Sequence, residues 1–169
     1  MLRPVPSTPV LTTVDHVVAF YLDKGWLPHH AFGIAANISF ESNFNLHEVG
    51  DGGKAWSLFQ HHPDRQATFR SLYGKDMKQA TVDEVLGFAH WELTSTDPRN
   101  EPLQKRAGDK LRATKNAYDA GATFSRYFER PLKKDWEADS RGQLAKKWHE
   151  AAIHAALNYK MPPKPKGTT

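Results

Sequence analysis

Residues 34–60 read IAANISFESNFNLHEVGDGGKAWSLFQ and set the organisation of the whole chain. Small and apolar residues recur at helical spacing, at Ala31, Ile34, Ala35 and Ile38, and Glu41 continues the same row. The spacing predicts a central helix from about residue 29 to residue 42, with the Glu41 carboxylate at the edge of its buried face. Burial raises the pKa of a carboxyl group, and a general acid that works near neutral pH requires such a shift. Glu41 is therefore the first catalytic candidate.

A glycine-rich turn follows the predicted helix, at Gly50-Asp51-Gly52-Gly53. Glycine adopts positive φ at little cost, so this segment predicts a small β-hairpin beside the helix. Asp51 brings a second carboxylate to the turn and is a candidate for positioning a water or stabilising an oxocarbenium charge. Aspartate before glycine is also a common turn residue, and Glu48 is the nearest alternative.

Five short segments carry a resemblance to a known family. They are ESNFN (41–45), VGDGG (49–53), AWSLFQ (55–60), FAHWEL (88–93) and YFERP (127–131). Together they resemble the phage tail lysozyme family of peptidoglycan hydrolases, and more distantly the Glu-Ser motif of lytic transglycosylases. The likeness covers roughly residues 28 to 131.

The resemblance implies a mainly α, lysozyme-like fold: a single helical domain with a small β-hairpin beside the catalytic helix. It also implies a muramidase that cleaves the MurNAc-GlcNAc bond of peptidoglycan, with Glu41 as the catalytic acid and no cofactor. The alternatives are a lytic transglycosylase, or an inactive wall-binding or structural module. The last is favoured by two departures, since the family usually has glycine at the position of Ser57 and tryptophan at that of His61.

Three residues close to the turn are candidates for substrate binding. Gln60 and Ser57 follow the turn, where they would line the floor of a cleft opposite Glu41, and either could hydrogen-bond a sugar or the attacking water. Gln60 matches the family, whereas Ser57 departs from it and could be only a polar surface residue. Trp56 could stack on a sugar ring, although a single aromatic in a strand is more often part of the core.

The remaining ionisable residues favour structural roles. Adjacent histidines on one element point in different directions, and no HExxH pattern is present, so no metal site is predicted. Glu92 and Glu129 recur in the family-like segments, and a buried ion pair of one of them with an arginine is preferred to catalysis.

The composition indicates one domain without disulfides. The chain has 169 residues, 39% of them hydrophobic, and no cysteine. Its net charge of +4 is spread along the sequence, which argues against nucleic acid and suits attraction to the anionic cell wall. We expect a monomer without a signal peptide or membrane span, acting in the periplasm or cell wall of a bacterial host after phage-type release or delivery.

The domain is predicted at residues 12–160, between a proline-containing leader (1–11) and a Pro/Lys-rich tail (161–169). Thr12 or Thr13 is expected to cap the first helix, with Thr12 and Asp15 at capping-box spacing, and Thr81 with Glu84 forms a second such box. Later helices are predicted at residues 103–111, 115–129 and 140–158, with Trp136 in a polar link before the last.

Overall fold

The computed structural model describes residues 8–159, so the first seven residues of the predicted leader and the predicted tail lie outside the described part. The fold is mainly α with one small hairpin, which confirms the predicted class. The helices are α1 (Val14–Asp23), α2 (Pro28–Ser42), α3 (Pro63–Tyr73), α4 (Val82–Thr94), α5 (Pro102–Arg112), α6 (Ala117–Phe124) and α7 (Lys134–Leu157). The antiparallel strands β1 (Val49–Gly50) and β2 (Ala55–Trp56) flank a single turn of 3₁₀-helix at Asp51–Gly53.

The central helix is α2, which packs against α1, α6 and α7. Most of its residues are buried, and Gly33 lies where α6 crosses it. A Cβ atom at Gly33 would lie only 2.7 Å from the Cβ of Ala120. The glycine therefore permits close approach of the two helices, as its unfavourable helix propensity predicted.

Helix ends follow local sequence signals. Thr13, not Thr12, caps α1, because its hydroxyl accepts a hydrogen bond from the backbone N–H of His16 at 3.1 Å. Thr81 caps α4 in the same way, accepting from the Glu84 N–H at 3.2 Å. In α2 the last turn is followed by Asn43 in the left-handed conformation, which turns the chain towards the hairpin.

A continuous aromatic and aliphatic core fills the space between the helices. Its largest fully buried members are Trp26, Tyr21, Phe59, Phe69, Phe88, Phe124, Phe128, Ile34 and Ile38. Within the described residues, no helix combines the length and the apolar character needed to cross a membrane.

The segment between α6 and α7 differs from the prediction. The helix expected over residues 115–129 is α6 followed by a π-helical turn at Ser125–Glu129, and Arg130 then adopts a left-handed conformation with φ of 55°. Trp136 was wrongly assigned to a polar link, because α7 already begins at Lys134. The polar neighbours of Trp136 are Lys133, Lys134, Asp135 and Glu137. They are compatible with a solvated first helical turn, and the apolar spacing that indicates the helix starts only later.

Candidate active site

A cleft of about 780 Å³ opens where the C-terminal end of α2 meets the hairpin, the start of α3, the π-helical turn and the first half of α7. It is lined by Phe40, Glu41, Asp51, Gln60, His62, Asp64, Arg65, Glu129, Arg130, Pro131, Leu132, Glu137 and Arg141. Elements distant in sequence thus converge on Glu41.

Glu41 lies in the last turn of α2 with its side chain only 18% exposed. Its Oε1 forms an ion pair with Arg141, whose Nη1 lies 2.7 Å away. Burial raises the pKa of the Glu41 carboxyl, the adjacent Arg141 partly offsets that rise, and the charge of Glu137 adds to it. Glu41 therefore keeps its proton to higher pH than an exposed glutamate does.

Arg141 is held rigidly before any substrate arrives. Its Nη1 also donates to Oδ1 of Asn37 at 3.0 Å. The amide of Asn37 donates in turn to the carbonyls of Gly33 at 2.9 Å and Gly121 at 3.0 Å, so α2, α6 and α7 together fix the guanidinium. A cation oriented in this way faces Glu41 without any rearrangement.

Asp51 and Gln60 both reach the cleft, by different means. Asp51 is exposed in the 3₁₀ turn, and Nδ1 of His62 lies 3.7 Å from its carboxylate. The side-chain amide of Gln60 donates to the carbonyls of Glu48 at 3.2 Å and Ser57 at 2.9 Å, so it fastens the hairpin to the following turn while lining the cleft.

Ser57 and Trp56 do not line the cleft. Ser57 is fully buried with φ of 74°, and its hydroxyl has no hydrogen-bond partner among residues 8–159. Trp56 packs against the ring of His47, with 6.2 Å between ring centroids, and the ammonium of Lys78 lies 5.3 Å from its ring. Of the five predicted site residues, the structure brings Glu41, Asp51 and Gln60 together.

A buried ionic network lies beside the cleft. Arg65 donates from Nε to Oε2 of Glu92 at 2.6 Å and from Nη2 to Oε1 at 2.9 Å, and Nε2 of His61 donates to Oε1 at 2.8 Å. Burial opposes ionisation of Glu92, but the charge of Arg65 and the contact with His61 lower its pKa to about 2. The predicted buried pair of Glu92 with an arginine is confirmed.

The sequence model of the phage tail lysozyme family matches residues 12–151, which is most of the chain. The chain belongs to the phage tail lysozyme family. No curated protein and no solved structure matches it. Membership implies a lysozyme-like enzyme with peptidoglycan as its substrate.

In this member of the phage tail lysozyme family, the sequence did not single out Glu129, Glu137 and Arg141 as cleft residues. Glu129 had a signal in its family-like segment but was interpreted as an ion-pair partner, and Glu137 and Arg141 lie beyond all five segments. Burial and the negative charge of Glu41 raise the pKa of the Glu129 carboxyl well above its ordinary value, against the opposing charges of Arg65 and Arg141.

Proposed function

We propose that this lysozyme hydrolyses the MurNAc-GlcNAc glycosidic bond, with Glu41 as the general acid. The observation that carries the proposal is a half-buried carboxyl with a raised pKa in a cleft of about 780 Å³. A carboxyl that retains its proton can protonate the leaving glycosidic oxygen as the bond to the sugar breaks.

Arg141 supports this role by stabilising the carboxylate that Glu41 becomes after it gives up its proton. When Glu41 gives up its proton it becomes an anion, and the guanidinium already stands 2.7 Å from Oε1. Because Asn37 restrains Arg141, stabilising the new charge requires no reorganisation.

Asp51 is proposed to position the attacking water, and Gln60 to contact the bound glycan. A general base of this kind activates water on the sugar face opposite the acid. Hydrolysis with inversion needs the carboxyl groups of Glu41 and Asp51 to lie about 6.5–9.5 Å apart in the substrate complex.

The second candidate is a lytic transglycosylase, in which a hydroxyl of the substrate replaces the water. The exposure of Asp51 favours this alternative, since 62% of its side chain is accessible and its contact with His62 is long, at 3.7 Å. A carboxylate so weakly fixed is a poor anchor for water. The two reactions differ in product, because the intramolecular attack leaves anhydromuramyl ends.

An inactive module is less well supported. Its basis was the pair of departures at Ser57 and His61, and both side chains are buried and absent from the cleft lining. Neither departure alters the surroundings of Glu41 directly. As an active enzyme, the protein would reach the cell wall after phage-type release or delivery.

A turbidity assay that measures the clearing of purified cell walls tests whether Glu41 is the general acid. Glu41→Gln should lower the rate on the order of a hundredfold or more, because glutamine cannot supply a proton. Glu150→Gln is the matched control, since Glu150 is exposed on α7 and pairs only loosely with Lys146 at 4.0 Å. Walls cleared equally fast by Glu41→Gln and wild type would disprove the assignment.

Mass spectrometry of the digested wall separates the two reactions. Reducing muramyl ends support hydrolysis, whereas anhydromuramyl ends as the main product would identify a transglycosylase. A parallel Asp51→Asn variant should lose most of the hydrolytic rate. An unchanged rate would leave Asp51 as a turn residue only.

A further inference from the structure

Glu129 is a partly buried acid that the proposed reaction does not use. It ends the π-helical turn that follows α6, a local form often found at functional sites, and it lines the same cleft as Glu41. Its Oε1 is buried and has no hydrogen-bond partner in the described part of the chain. A buried polar atom left unpaired costs stability, so its retention calls for a reason.

Both arginines near Glu129 are already engaged by other carboxylates. Arg65 forms two hydrogen bonds with Glu92, and Arg141 binds Glu41. Neither forms an ion pair with Glu129 among the residues described. A negative charge at Glu129 would therefore have no direct ionic partner among the described residues.

The charged groups that act on Glu129 come from four helices. They are Glu41 on α2, Arg65 on α3, Glu92 on α4 and Arg141 on α7. Tyr21 on α1 is itself influenced by Glu129. Burial dominates these contributions, and it favours the uncharged acid.

We propose that Glu129 works as a neutral carboxylic acid whose Oε2 donates a hydrogen bond from the cleft wall to an oxygen of the bound glycan, while the buried Oε1 is its carbonyl oxygen. A protonated carboxyl is a donor, whereas a carboxylate only accepts. Its complementary partner is an oxygen that only accepts, and the acetamido carbonyl of an N-acetylated sugar has that character. This proposal rests on the proposed function for the identity of the ligand.

Two substitutions separate a neutral donor from an ionised group. Glu129→Gln keeps the shape and an N–H donor, so binding of soluble GlcNAc-MurNAc oligosaccharides should stay within about threefold of wild type. Glu129→Met keeps the length but has no donor, and its binding should weaken about tenfold, the size of one lost neutral hydrogen bond. Calorimetry measures these binding constants in a Glu41→Gln background, so that the oligosaccharides are not cleaved during the titration.

The thermal midpoint supplies a second readout. Glu129→Met removes an unpaired buried polar atom, so its midpoint should rise while its affinity falls. A purely structural role predicts a lower midpoint together with weaker binding. If Glu129→Gln weakened binding as much as Glu129→Met, Glu129 would act as an ion and the neutral donor would be refuted. If Glu129→Met bound as tightly as wild type, the donor role would be overturned.

The outcome for Glu129 is distinct from the outcome for hydrolysis. If wild type binds the oligosaccharides but does not clear cell walls, the proposed reaction is wrong. The binding constants of Glu129→Gln and Glu129→Met still decide the role of Glu129 in that case. Should wild type clear walls and Met bind normally, the reaction stands and the inference falls.

Discussion

Replacing Ser57 with glycine should make the protein more stable. Ser57 sits at φ of 74°, a region that favours glycine, and its buried hydroxyl is unpaired in the described structure. Left-handed backbone costs a residue other than glycine about 1–3 kcal/mol, and an unpaired buried hydroxyl costs a similar amount. Against these stand about 1 kcal/mol for the flexibility of glycine when unfolded and about 1 kcal/mol for the small void.

The net gain for Ser57→Gly is then about 2 kcal/mol, which corresponds to about 4–8 °C in the thermal midpoint for a chain of this size. The backbone bonds at this position are unaffected: the N–H still donates to the carbonyl of Glu48, and the carbonyl still accepts from Gln60. Ser57→Ala is the matched control, because it removes the hydroxyl but keeps the strained backbone.

Scanning calorimetry should give the highest thermal midpoint for Ser57→Gly, an intermediate one for Ser57→Ala and the lowest for wild type. Equal midpoints for the glycine and alanine variants would mean that backbone strain contributes nothing. A lower midpoint for Ser57→Gly than for wild type would refute the reasoning altogether. With the midpoints in the expected order, the glycine that the family usually has at this position would have a conformational cause rather than a catalytic one.

Two further predictions concern packing and pH. Gly33→Ala should destabilise the fold by about 1–3 kcal/mol in urea unfolding, because the new Cβ would lie 2.7 Å from Ala120. Gly87→Ala is its control and should be neutral or mildly stabilising, since its Cβ would meet only side-chain ends, the Tyr73 hydroxyl at 3.4 Å and Cζ of Phe20 at 3.8 Å. For Glu92, whose folded pKa of about 2 lies below the unfolded value near 4.3, the stabilisation is complete above that unfolded pKa and is lost as pH falls through about 2. The difference in free energy of unfolding between wild type and Glu92→Gln, measured by urea unfolding, should therefore become smaller from pH 6 to pH 2. A difference that stayed constant over this range would contradict the linkage.

Local signals in the sequence were enough to predict the helical class and the cleft acid. The row from Ala31 to Glu41 predicted α2 because helix periodicity is a property of neighbouring residues. The Gly-Asp-Gly-Gly run predicted the hairpin for the same reason, since turn chemistry depends on a few consecutive residues. Both features were readable without knowledge of the tertiary fold.

The rest of the site depends on contacts between distant residues. Arg141 lies a hundred residues beyond Glu41 in sequence, and nothing in its own segment distinguishes it from the other arginines. The π-helical turn that ends at Glu129 has no signature that separates it from an ordinary helix end. The protonation state of each carboxyl group depends on its burial and on the arginine with which it forms an ion pair. Both are known only once the fold is known.

Two glutamate–arginine pairs near the cleft differ in the direction in which the pKa of the glutamate is shifted. This difference suits one pair to a structural role and the other to catalysis. Glu92 accepts three hydrogen bonds from Arg65 and His61, is almost wholly buried, and has its pKa lowered to about 2. A carboxylate stabilised to that degree cannot hold a proton near neutral pH, so this pair serves the fold. Glu41 has a single bond to Arg141, opens into the cleft, and has its pKa raised by burial. One contact can stabilise an anion left by proton transfer, yet burial still raises the pKa of the Glu41 carboxyl in its presence. We therefore infer that incomplete pairing suits Glu41 to its proposed role as the acid.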